Sequence, residues 1–227
     1  MKENYQKILD QNLKEIEGRK NPPSLLLHSC CAPCSSYVLD YLSQYFKITV
    51  FYYNPNIYPD REYEFREKEQ EKFIEAFLKD HPEAHPITFM KAPYEKELYY
   101  KEVRGHEKDP EKGARCFLCY EMRLKKTAET AKKGGFDYFT TTLSISPHKD
   151  AQKLNAIGKK LAEEYQVSYL FSDFKKKEGF KKSILLSEKY QIYRQNYCGC
   201  LFSYLISRQG IPDRVDSGED HFSGGSL

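Results

Sequence analysis

Five short apolar or aromatic runs, each followed by residues at helical spacing, constrain this chain more than any other feature. The runs SLLLHSC (24–30), ITVFYYN (48–54), HPITFMKA (85–92), FDYFTTTL (136–143) and VSYLFSD (167–173) have the length and β-branched or aromatic content of buried strands. An amphipathic helix over 3–17 comes first, with Tyr5, Ile8, Leu9, Leu13 and Ile16 on one face, and Asn21-Pro22-Pro23 stops it. Further helices are expected over 35–45, 62–78, 94–104, 116–133, 150–165 and 180–190, the fourth of these ended by Gly134-Gly135. Strand–helix alternation requires right-handed crossovers, hence an α/β fold with a mostly parallel sheet of about five strands covered on both faces. No repeat or linker divides the chain, so a single α/β domain over 1–210 is expected. The segment 211–227, ending SGEDHFSGGSL, has little to bury and is expected to be a mobile tail.

The composition excludes some partners. No run approaches the ~20 apolar residues of a membrane span. The first twenty residues lack an apolar signal core and carry acids that a transit peptide avoids, which predicts a cytoplasmic protein with reduced thiols. The net charge of +3 neither demands nor excludes nucleic acid. Its distribution says more, because Lys175, Lys176, Lys177, Lys181 and Lys182 crowd together around a single acid, Glu178. Such a run is either a solvated helix start or a phosphate-binding surface.

The unusual residues follow the strands. HSCCAPC (28–34) follows the first, YNPNIYPDREYEFR (53–66) the second, TTLSISPHKD (141–150) the fourth and DFKKKEGF (173–180) the fifth. In a parallel sheet all strand C-termini lie along one edge, where ligands bind. These four loops are thus predicted to share one pocket, giving a Cys-rich site at the strand C-terminal edge.

Seven cysteines fall into three groups: Cys30, Cys31 and Cys34; Cys116 and Cys119; Cys198 and Cys200. Cys-x2-Cys lets one turn of backbone offer two sulfurs to the same metal, and Gly199 permits a tight turn between the last pair. Cys116 and Cys119 are expected at a helix start, where the backbone dipole favours thiolate. Buried free cysteines account for one or two of the seven but not for this clustering. A structural zinc needs four ligands and is an odd occupant of a crevice beside a core strand. Softness favours iron–sulfur chemistry: four sulfurs complete a [4Fe-4S] cluster, and three leave an iron open. The surplus sulfurs suit a second mononuclear metal ion, iron or zinc, or redox thiols.

The remaining candidates each carry two readings. Arg66 and Arg123 suit a phosphate clamp or surface ion pairs. His148 and Lys149 face the pocket or neighbour a helix N-cap. Asp173 is an N-cap, a metal ligand or a proton donor. His28, inside a strand, reads as a packed histidine rather than a ligand. Tyr193, Arg194 and Tyr197 precede the Cys-Gly-Cys pair and suit stacking on a nucleotide.

Taken together, HSCCAPC, YNPNIYP with EYEFR, RCFLCYEMRL (115–124), TTLSISPHKD, DFKKKEGF and YRQNYCGCLFS (193–203) resemble the QueH-type epoxyqueuosine reductases, a cobalamin-independent family acting at the last step of queuosine formation in tRNA. The resemblance spans nearly all of 24–206. It implies a Rossmann-like, three-layer fold akin to the nucleotide alpha-hydrolase group that includes tRNA-thiolating ATP pyrophosphatases. The Ser-Gly-Gly-x-Asp-Ser loop of those enzymes is absent, and HSCCAPCSS stands in its place, which argues against ATP use. The implied reaction removes the epoxide oxygen of epoxyqueuosine in the tRNA anticodon, with two electrons and two protons. Neither a flavin nor a nicotinamide fingerprint is present, so an external one-electron donor such as a ferredoxin or flavodoxin is expected. Asp173 and then His148 are the candidate proton donors, and Lys175, Lys176 and Lys177 are expected to guide the tRNA backbone. Two other readings stay open: a cluster- or thiol-dependent tRNA sulfur-handling enzyme, and a zinc-stabilised RNA-binding module.

Overall fold

The leucines of the first strand show how the layers form. Leu25, Leu26 and Leu27 are all fully buried in β1 (Ser24–His28), as a strand covered on both faces requires. Successive side chains point to opposite faces, so Leu25 and Leu27 join one core and Leu26 the other. The computed structural model describes residues 3–208, and the expected tail over 211–227 lies outside them.

On the first face, Leu9, Leu13 and Ile16 of α1 (Tyr5–Ile16) pack with Val38, Leu39 and Leu42 of α2 (Ala32–Leu42) and Phe73, Ile74 and Phe77 of α3 (Asp60–Asp80). On the other, Tyr120, Leu124, Ala128 and Ala131 of α5 (Ala114–Gly134) meet Leu154, Ile157 and Leu161 of α6 (Ala151–Tyr165). Between them lie β2 (Lys47–Tyr52), β3 (Ile87–Lys91), β4 (Tyr138–Thr141) and β5 (Ser168–Tyr169). The short α4 (Lys96–Glu102) follows β3, α7 (Gly179–Lys189) packs on α2, and α8 (Leu201–Arg208) follows the Cys-Gly-Cys loop.

The sheet runs β3-β2-β1-β4-β5, every neighbouring pair parallel. The order reverses between β1 and β4, so their C-terminal ends diverge into a crevice. The structure is therefore the three-layer α/β fold expected from the sequence.

Three of the departures from the expected boundaries have a clear local reason. β4 stops at Thr141 because its Oγ1 accepts a hydrogen bond from Leu143 N (3.1 Å), starting a 3-10 turn over Thr142–Ile145. β5 spans two residues instead of seven, because the Asn155 side chain takes both backbone groups of Ser172 (Nδ2 to O 2.8 Å, N to Oδ1 3.0 Å). α2 starts at Ala32 rather than near residue 35, with Cys31 as its extended N-cap and a proline in its first turn, which suits a helix start.

Candidate metal centre and reaction cavity

The chain leaves β1 as Ser29-Cys30-Cys31 and immediately enters α2, so Cys34 lies one turn along from Cys31. The sulfurs of Cys30, Cys31 and Cys34 lie within 4.8 Å of one another. Buried hydrogen bonds fix this turn: Gln70 Oε1 accepts from Ser29 Oγ (2.7 Å) and Ser35 Oγ (3.0 Å), and Asn54 Nδ2 donates to Ser29 O (2.9 Å). Cys30 Sγ is 3.8 Å from Thr142 Oγ1, which puts the trio at the β1/β4 crevice.

The trio's protons are unevenly held. Hydrogen bonds from Cys30 and Cys34, with Arg66 and Gln195 behind them, hold the Cys31 thiol well below the usual range. Gln195 Nε2 is 3.0 Å from its sulfur. Cys34, donating to both neighbours, is pushed up. A readily ionised thiol with two sulfurs beside it is a ready ligand set for a soft metal ion.

The other four cysteines form a second neighbourhood. Cys119 and Cys200 pack in one small cluster with Tyr99 and Val103, and Cys116 and Cys119 both feel the charges of Cys198 and Cys200. Among the described residues, only the Cys30-Cys31-Cys34 trio brings three metal-ligating atoms within 4.8 Å. At the start of α5, where a bias toward thiolate is expected, burial raises Cys116 and pushes Cys119 up to about 11 against the lowering by nearby Arg123. Gly199, at φ +124°, lets Cys198 and Cys200 flank a turn tied by Tyr58 N to Gly199 O (2.7 Å).

A cavity of about 400 Å³ joins the two neighbourhoods, with Cys30, Cys34 and Cys198 in its wall. Arg123, His148, Lys149, Arg194 and Tyr197 line it too, and Glu111 is the one acidic residue in the lining among the described residues. Neither Asp173 nor any of Lys175, Lys176 and Lys177 lines this cavity. Asp173 Oδ1 is 2.6 Å from Lys175 Nζ, Lys177 Nζ is 2.6 Å from Asp10 Oδ1, and Lys176 is exposed. Tyr193 stands with its ring edge-on to Phe65 (5.0 Å) and is likewise outside the lining.

The two arginines are neither surface ion pairs nor free clamps, since each is 2% exposed. Arg66 Nε meets Glu62 Oε1 at 2.7 Å, and its guanidinium lies 5.1 Å over the Tyr197 ring. Arg123 Nη2 donates to Asn54 Oδ1 (2.6 Å), its Nε lies 3.2 Å from His28 Nε2, and its Nη1 faces Cys119 Sγ (3.8 Å). His28 is fully buried, and burial together with Arg123 lowers its pKa to about 3, so its ring is neutral. Lys149 Nζ is 2.8 Å from Cys198 Sγ.

Sequence reasoning missed Gln195, Asn54, Gln70, Glu62 and Glu111. Asn54, Glu62 and Gln195 sit inside motifs already singled out, but nothing local to Gln70 announces a role that depends on tertiary packing.

A family model described as "Epoxyqueuosine reductase QueH" matches residues 25–205. The chain belongs to this family. It is 43% identical over 208 residues to the epoxyqueuosine reductase QueH of Streptococcus pyogenes serotype M1, covering 92% of this chain and 80% of the relative. The protein of that name from Staphylococcus epidermidis is 42% identical over 210 residues (92% and 87%), and that from Thermotoga maritima 35% over 192 (82% and 93%). The matched span of the QueH model runs from β1 into α8 and so contains all seven cysteines and the cavity wall except Ile206 and Ser207. No helix among the described residues is long and apolar enough to cross a membrane.

Proposed function

We propose that this chain is a cytoplasmic oxidoreductase that reduces epoxyqueuosine to queuosine in the anticodon of tRNA, using a [4Fe-4S] cluster. The observation that carries the reading is the three-sulfur group at the β1/β4 switch point, opening into a cavity of about 400 Å³, in a chain of this family. The donor set fits the group: three clustered thiols, one of them readily ionised, are soft ligands for iron. Cys30, Cys31 and Cys34 would hold the cluster, and its fourth sulfur and the ligands of a second metal ion, iron or zinc, would come from Cys116, Cys119, Cys198 and Cys200. When bound, the cluster supplies electrons singly, received from an external ferredoxin- or flavodoxin-type donor.

The protein's own groups do the rest. The reaction takes two electrons and two protons, opens both carbon–oxygen bonds of the epoxide, and releases the oxygen as water. His148 lines the cavity and is positioned to protonate the departing oxygen. Asp173, the other candidate donor, is held by Lys175 in the loop that precedes α7. Arg194, steadied by Ser187 Oγ (2.9 Å), and Tyr197, fixed by Tyr58 O (2.6 Å), present a cation and a ring to the nucleoside. Exposed Lys176, with Lys175 and Lys177, contributes a salt-sensitive attraction for the tRNA backbone.

The test is anaerobic incubation with epoxyqueuosine-containing tRNA and a chemical one-electron reductant, followed by nucleoside mass analysis. Conversion to queuosine is expected. A thionucleoside product, or no conversion by a fully metallated protein, would overturn the assignment.

A further inference from the structure

We propose that Arg123 and Lys149 are fixed counter-cations of the metal–thiolate centre, positioning residues that neutralise its sulfurs and set its reduction potential. The inference rests on the metal-bound reading above and assigns these two residues a part that neither phosphate binding nor helix capping describes.

Charge balance carries it. Arg66 and Arg123 are equally buried, but Arg66 has a carboxylate partner in Glu62. Arg123 has none among the described residues: its donors face an asparagine oxygen, a neutral histidine nitrogen and the Cys119 sulfur. Lys149, half-buried in the cavity wall, has its ammonium on the Cys198 sulfur and 5.9 Å from the face of the Tyr120 ring. A cation withdrawn from water without an anion is strongly unfavourable, so each must be balanced by something nearby. The nearest groups that become anionic on binding a metal are cysteine sulfurs: Cys119 at 3.8 Å from Arg123 Nη1, and Cys198 at 2.8 Å from Lys149 Nζ.

The geometry also separates this role from phosphate binding. A phosphate clamp needs a free guanidinium edge or ammonium. Here Asn54 and His28 take two corners of Arg123, and Cys198 takes Lys149 at 2.8 Å. Hydrogen bonds and positive charge at ligand sulfurs stabilise the reduced, more negative state of a cluster and raise its potential. They also oppose metal loss by offsetting repulsion among thiolates.

The test uses the anaerobically purified, metal-containing protein and the variants Lys149→Met, Lys149→Arg, Arg123→Met and Arg123→Lys. Two quantities are read: the cluster midpoint potential by an EPR-monitored titration, and the rate of metal release to a chelator. Both methionine variants are expected to move the midpoint to more negative values and speed release at least tenfold. The charge-conserving variants should recover most of both. Lys153→Met removes an exposed cation one helical turn further on and should change neither. Should Arg123→Met not fold, Lys149→Met and Arg123→Lys still decide. Unchanged midpoint and release in Lys149→Met, with only KM for tRNA raised, would overturn the inference and make these groups substrate ligands. Wild-type protein without any metal would instead refute the function proposed above.

Discussion

Replacing Gly199 by alanine tests whether the turn between Cys198 and Cys200 is held by backbone geometry. Gly199 has φ +124°, outside the regions that residues with a Cβ readily occupy. A Cβ there would lie 3.0 Å from Arg66 Nη1, 3.2 Å from Ile57 Cγ1 and 3.5 Å from Asn56 Nδ2. The backbone has little freedom to rotate away, because Gly199 O accepts from Tyr58 N at 2.7 Å and Cys198 O faces Arg66 Nη1 at 3.4 Å. Strain of this kind costs about 1–3 kcal/mol. In a domain of this size that is roughly 2–12 °C of melting temperature. Gly105→Ala is the control: it too has positive φ, +85°, but no atom within 4 Å of the added Cβ. Thermal unfolding followed by circular dichroism should therefore rank wild type above Gly105→Ala and Gly105→Ala above Gly199→Ala. Gly199→Ala should also lose metal more readily, since both flanking cysteines move. A Gly199→Ala protein that melts with or above wild type would refute the reasoning.

Other outcomes follow from buried polar groups. Arg66→Met strands the Glu62 carboxylate in the interior and should destabilise by about 3–5 kcal/mol in urea titrations, whereas Arg66→Met/Glu62→Leu should recover more than half of that. Asn155→Ala leaves Ser172 N–H and C=O without their buried partner, about 1–3 kcal/mol for each group, and should speed hydrogen exchange around β5. Asp137 accepts from Ser24 N (2.8 Å) and Oγ (2.7 Å), tying the starts of β1 and β4 together, and those bonds lower its pKa. Its folded pKa thus lies below the unfolded value, so the unfolded chain binds more protons between the two. The stabilisation is present above the unfolded value near 4 and disappears as pH falls through the folded value. Asp137→Asn should be less stable than wild type at pH 7, and the difference should shrink toward pH 3.

Much of the fold was legible because both sheet faces are covered: Leu25 to Leu27 and Ile48 to Tyr52 could only be interior strands, and their alternation with helices fixed a parallel sheet. The cysteine groups were legible from spacing, and their approach to the strand C-terminal edge followed from sheet geometry. What sequence hid was decided by side chains reaching across the fold. Asn155 replaces a strand ladder, Thr141 ends another, and α8 follows the Cys-Gly-Cys loop rather than a strand. Glu62 and Arg66, four apart on α3, have the spacing of a surface ion pair but are interior because that helix face turns toward Cys198. Asp173 lies beyond the end of the shortened β5 rather than at it, and Lys175, two residues on, claims its carboxylate. The division of the sulfurs into a trio and a quartet was also invisible, since spacing cannot say which distant pair joins which group.

Iron and acid-labile sulfide analysis of anaerobically purified protein, beside Cys30→Ser, Cys31→Ser and Cys34→Ser, is the most direct test of the central claim. Wild type should carry close to the iron and sulfide of one [4Fe-4S] unit, and each serine variant should lose the sulfide. Sulfide retained in full by all three variants, or absent from wild type, would contradict it.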